Sequence, residues 1–104
     1  MTRFTLSEDA KRDLDEIRRF LAGVSPRLAK RTALALQHGL RGIAANPELG
    51  ARYSSLTRIL GVEVRSRAAP PYRIFYRLGR TYPEIISIVH GARDIPVVLA
   101  QRFQ

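Results

Sequence analysis

The alternation of apolar and polar positions opens with a short strand over Thr2–Leu6, in which Phe4 and Leu6 fall on one side. From Ser7 the period becomes helical. Ser7 suits an N-cap, Glu8 and Asp9 suit the positive end of a helix dipole, and Ala10, Leu14, Ile17, Leu21 and Val24 recur at steps of three and four. Phe20 lies beside that stripe, and Gly23 is placed to end the helix. Ser25-Pro26 restarts the pattern as cap and first helical residue. Leu28, Ala29, Thr32, Ala33, Leu36, Leu40 and Ile43 mark the buried face of a longer second helix. Asn46-Pro47 ends it, because proline disfavours helix in the residue before it. Two amphipathic helices with a tight connection form a helical hairpin.

After Gly50 the texture changes. Residues 51–60 fit neither period. Val62 to Arg67 alternates with period two, Tyr72 to Leu78 is an aromatic-rich strand, and Gly79 to Pro83 is its turn. Glu84 to His90 is nearly continuous in apolar residues, as expected of a strand covered on both faces. Gly91 to Asp94 reads as a loop and Pro96 to Phe103 as a short helix. The expected fold is α+β: an N-terminal strand, a helical hairpin packed on an antiparallel sheet with a three-strand meander, and a short C-terminal helix. Residues 1–104 show no repeat, linker or low-complexity segment and are expected to form one domain.

Composition narrows the function classes. With 45% apolar residues the chain can bury a core without a metal or disulfide. It has no cysteine, which excludes disulfides, thiolate catalysis and cysteine-based zinc sites. The first residues lack the apolar stretch of a secretory signal, and no run reaches the roughly 18–20 apolar residues that span a bilayer. A soluble cytoplasmic protein without membrane contact is expected.

Charge changes the picture most. The net charge is +9, and it is unevenly placed: residues 1–16 hold five acids and three bases, residues 17–104 four acids and fifteen bases. Such a surface suits a polyanion or an acidic protein partner. Sixteen of the eighteen bases are arginine, which forks onto phosphate or carboxylate as lysine cannot. Codon bias of a GC-rich genome would also raise arginine over lysine, but leaves the net charge unexplained.

Strand alternation suggests a site. If Val62, Val64 and Ser66 face the helices, Glu63, Arg65 and Arg67 face away. In the next strand Arg73, Phe75 and Arg77 share a face. Adjacent strands would then gather Arg65, Arg67, Arg73 and Arg77 around Phe75, a composition suited to phosphates and a stacked base; a solvated, solubilising sheet face is the alternative. His90, followed by Arg93-Asp94, would sit at a strand end beside that face. It is either a proton donor or acceptor near neutral pH or a half-buried histidine bonded to backbone, and Arg93 and Asp94 either an ion pair or a helix cap. Glu8, Asp9, Asp13, Asp15 and Glu16 are spread around the first helix among bases and read as a solvated face, not a metal site. His38 has no evident partner. No phosphate loop, nucleophile elbow or histidine pair at metal spacing is present, so no metal or cofactor is expected.

Several segments resemble the ParE branch of the RelE/ParE toxin superfamily. They are Ala10-x-x-Asp13-Leu14-x-x-Ile17, Ser25-Pro26-x-x-Ala29, Asn46-Pro47-Glu48-Leu49-Gly50, Tyr72-Arg73-Ile74-Phe75-Tyr76-Arg77 and Val89-His90-Gly91-Ala92-Arg93-Asp94, in order over residues 4–94. The resemblance implies a toxin of a type II toxin–antitoxin system, linked to plasmid stabilisation and growth arrest, and neutralised by a cognate antitoxin. It also implies homodimers or toxin–antitoxin heterotetramers. ParE-like members poison DNA gyrase as binding inhibitors with no recognised catalytic residue. RelE-like members are ribosome-dependent endoribonucleases acting on mRNA, which need a base, cations and an acid around one phosphate. Here the expected face holds no lysine, and a free arginine is a poor base. The closer resemblance to ParE-like members, with the missing base as physical support, puts the gyrase reading first, with Arg65, Arg67, Arg73, Phe75, Arg77 and Arg93 as target-binding residues. In the nuclease reading His90, Arg73 and Arg77 would be catalytic.

Overall fold

The computed structural model describes residues 3–103; Thr2, at the start of the expected first strand, lies outside them. The elements are β1 (Thr5–Leu6), α1 (Glu8–Ala22), α2 (Pro26–Ala45), a 3-10 turn (Pro47–Leu49), β2 (Ala51–Arg52), α3 (Ser54–Leu60), β3 (Val64–Ala69), β4 (Tyr72–Arg77), β5 (Glu84–His90) and α4 (Ile95–Arg102). Both long helices start at their serine caps. Ser7 Oγ accepts the Ala10 N–H at 3.1 Å and Ser25 Oγ the Leu28 N–H at 3.2 Å. Each bond satisfies an amide that a helix start leaves without a partner, worth about 1 kcal/mol. In the stretch where neither period was legible, the chain makes β2 and α3. α3 has only seven residues, too few to display a stripe, and stops at Gly61, whose φ of 72° favours glycine.

The sheet order is β1-β5-β4-β3-β2. β3, β4 and β5 form the expected antiparallel meander, and β2 adds to it antiparallel. β1 pairs parallel to β5, so the sheet is mixed and not antiparallel throughout. Parallel neighbours need a long crossover, and everything between β1 and β5 supplies one. Alternation in a short segment identifies a strand but not its partner.

Two cores flank the sheet. The first joins Ala10 of α1 and Leu36, Leu40 and Ile43 of α2 to Ile74, Tyr76, Ile85 and Ile88. The second joins Leu56 of α3 and Val98 and Leu99 of α4 to Val64, Phe75, Ile86 and Val89. β5 supplies both, which is why it reads as a continuous apolar run; a register shift opposite Phe75 and Tyr76 leaves Ile86 as an extra residue, so that Ile85 and Ile88 share the hairpin face while Ile86 and Val89 share the other.

Three expectations about faces are corrected. Val64 and Ser66 turn away from the hairpin, because α3 and α4 offer a second apolar layer that alternation does not reveal. Leu28 and Ala33 are exposed, as is Val24 beyond the end of α1. The buried stripe of α2 instead runs through Thr32, Leu36, Gly39, Leu40 and Ile43. Gly39 belongs there because a Cβ would stand 2.9 Å from Ile74 Cδ1. Asp13, read as solvated, is 5% exposed.

Candidate functional site

Strand register decides what the arginines can do. Across β3 and β4, Arg65 faces Tyr76 and Arg67 faces Ile74, while Ser66 faces Phe75, Ala68 faces Arg73 and Val64 faces Arg77. Directly opposed residues of an antiparallel pair share a sheet face. Arg65 and Arg67 therefore lie on the hairpin side, and Arg73, Phe75 and Arg77 on the α3–α4 side. The expected cluster of four arginines around one aromatic ring does not form.

Each arginine has local work. Arg65 donates to the carbonyls of Glu48 and Gly50 and pairs with Glu63 at 3.3 Å, leaving its side chain 12% exposed. Arg67 lays its guanidinium on α2 at Gly42, where a Cβ would occupy the same space. Arg73 donates to Ser66 Oγ at 2.8 Å, and Arg77 pairs with Glu84 at 2.6 Å. Phe75 is fully buried and meets Tyr53 edge-on at 5.1 Å, so its ring cannot serve as a stacking platform. Arg93 is exposed in the loop before α4.

His90 closes β5, half-buried and edge-on to Tyr72 at 5.2 Å. Its Nδ1 accepts the Ala92 N–H at 3.0 Å, which leaves Nε2 as the remaining ring nitrogen. The Arg93 N–H donates to the His90 carbonyl at 3.0 Å, and among the described residues no side-chain hydrogen bond joins the His90 ring to Arg73, Arg77 or Arg93. Asp94 is the N-cap of α4, its carboxylate accepting the Val97 N–H at 3.4 Å. His38 is exposed on α2. Among the described residues no three His, Asp or Glu side chains gather as a metal ion would require.

Two polar centres escaped the sequence reading. Asp13 accepts the Ile88 N–H at 2.8 Å and binds Arg102 of α4 through both carboxylate oxygens at 2.7 Å; Arg102 also donates to Ser87 Oγ. Asp13 thus occupies the edge of β5 just past the end of β1, and ties α1 to α4 across it. Its signal was its place, three residues after Ala10 and four before Ile17, inside the apolar stripe. Tyr76 is the other. Its hydroxyl donates to Pro47 O at 2.6 Å and accepts the Gly50 N–H at 3.1 Å, anchoring the turn after α2. Burial raises its pKa above 10, against the lowering influence of the Gly50 bond and of Arg65 and Arg67.

The hairpin also presents an open apolar groove of about 470 Å³, floored by Leu14, Ile17, Leu21, Leu36 and Leu40 and rimmed by Leu34 with Arg18 and Lys30. Leu34 is 57% exposed, and Phe20 and Val24 near the hairpin tip more so. Contiguous apolar exposure of this kind marks a contact surface. Among the described residues no helix is long and apolar enough to cross a membrane.

No curated protein matches the chain. The sequence profile of the family described as ParE toxin of type II toxin-antitoxin system, parDE, matches residues 4–95, from β1 through β5 to the first residue of α4. The chain belongs to the ParE toxin family of type II toxin–antitoxin systems.

Proposed function

We propose that this ParE-family toxin arrests growth by inhibiting DNA gyrase, and so DNA replication, as a binding inhibitor and not an enzyme. The observation that supports this reading over RNA cleavage is the dispersal of the cations. Cleaving a ribose–phosphate bond requires a base, an acid and cations converging on one phosphate. Arg65 and Arg67 are spent on the turn after α2 and on the α2 backbone, on the sheet face opposite Arg73 and Arg77. His90 holds its own loop through Nδ1. Of the residues expected to touch the target, Arg73, Arg77 and Arg93 remain the candidates, on β4 and the loop after β5. A cognate antitoxin would neutralise the toxin by seating the apolar face of a helix in the α1–α2 groove, with Arg18 and Lys30 at the rim favouring an acidic partner.

Pulse labelling of new DNA and new protein, minutes after tightly controlled expression, tests the target. DNA synthesis is expected to fail first while translation continues. Translation collapsing first would overturn the gyrase reading in favour of a ribosome-dependent nuclease.

A further inference from the structure

α2 carries charge that nothing in the fold uses. No acid occurs between residues 17 and 47, and Arg27, Lys30, Arg31 and Arg41 are exposed along the helix. None of the four has a hydrogen bond or ion pair among the described residues. On α1 the opposite holds: Lys11, Arg12 and Arg18 each pair with an acid three residues earlier.

The placement works against the helix. Arg27 stands in the first turn, where the dipole repels a cation, and the last turn has no base. Arg27 faces Lys30 and Arg31 at three- and four-residue steps, where like charges repel. Stability therefore does not account for these side chains. At 3.6 residues per turn the four cations, with Leu34 and His38, fall within an arc of about 100°, opposite the stripe that packs on the sheet.

We propose that this outward face of α2 is a phosphate-contacting surface for duplex DNA. Arg27 and Arg41 are about 21 Å apart along the axis, and Arg31 and Arg41 about 15 Å. With the reach of their long side chains, Arg31 and Arg41 can meet the two phosphate walls of a major groove about 12 Å wide, which admits a helix. The deep, narrow major groove of A-form RNA does not. Single strands are held by stacking on a series of aromatic rings, and α2 offers no Phe, Tyr or Trp and only the imidazole of His38. Contact through phosphates alone positions the protein without reading sequence. This surface goes beyond the toxin reading and is independent of the gyrase target.

The test is fluorescence anisotropy of the purified full chain on a labelled mixed-sequence 24-base-pair duplex across a salt series, with neither gyrase nor ribosome present. Four phosphate contacts predict a slope of log affinity against log salt of about −3.6. The variant R27Q/K30Q/R31Q/R41Q is expected to bind at least tenfold more weakly and to lose most of that slope, with Tm unchanged or raised. The variant K11Q/R12Q/R18Q/R19Q removes the same charge from α1 and is expected to lose less than threefold. If the α2 variant does not fold, R27Q/R31Q replaces it, with half the change in slope. Equal weakening by the α1 and α2 variants would overturn the proposal, as would an unaffected α2 variant. So would equal binding of single-stranded RNA or polyglutamate.

Discussion

Asp13 stands inside the apolar stripe of α1, where burial without a partner would cost several kcal/mol. Its compensation comes from residues 75 and 89 positions away: the Ile88 N–H and the Arg102 guanidinium. The carboxylate in turn holds the Arg102 pKa above its ordinary value. Removing one member of such a pair strands the other. Asp13→Asn is expected to lower unfolding free energy by about 3 kcal/mol in urea, and adding Arg102→Met should restore part of that loss. A loss under about 0.5 kcal/mol would mean that the pair does not hold α4 to the body. Ser7, Ser25 and Asp94 were legible as candidate caps because a cap acts within three residues; the Asp13 pair was not, because its partner lies at the other end of the chain.

At the scale of elements, the turn after α2 shows how a helix end is tied to a strand. Pro47 and Gly50 both bond the Tyr76 hydroxyl, and Arg65 holds the carbonyls beside them. Tyr76→Phe leaves two backbone groups to find other partners and should cost about 1–2 kcal/mol at pH 7–8. The phenol also couples stability to pH. Its folded pKa is raised above the unfolded value of 10, so its contribution is complete below pH 10 and is lost as pH rises through the folded value. Tyr72 shifts the same way through burial. Wild-type stability is therefore expected to hold to about pH 10 and then fall, and Tyr76→Phe to fall less steeply, as chemical denaturation at stepped pH would measure. Parallel falls would remove Tyr76 from the coupling. β3 carries the lesson of this scale: Val64 to Arg67 was recognisable as a strand, but which set met the hairpin depended on a layer made by α3 and α4.

For the molecule as a whole, the hairpin and the two small helices cover opposite sheet faces, and the hairpin's far side keeps the groove open. A partner that binds only the folded toxin raises its apparent stability by mass action. Leu34→Glu places a charge on the groove rim at a residue 57% exposed. It should leave Tm within about 2 °C, weaken binding of the cognate antitoxin at least tenfold, and shrink the Tm rise that antitoxin confers. Unchanged affinity would place the antitoxin elsewhere.

What could be read along the chain were properties carried by near neighbours. The helix limits at Ser7, Gly23, Ser25 and Asn46, the three meander strands and the two-sided burial of β5 all follow from capping, proline geometry and period. The family motifs are local as well. Tertiary packing settled the choices those rules leave symmetric. Alternation fixes that Arg65 and Arg67 share a face and that Arg73, Phe75 and Arg77 share a face, yet it carries no sign saying which face meets which layer. Register across β3 and β4 set the two groups on opposite sides, buried Phe75 beneath α3, and turned an apparent arginine cluster into separate structural contacts.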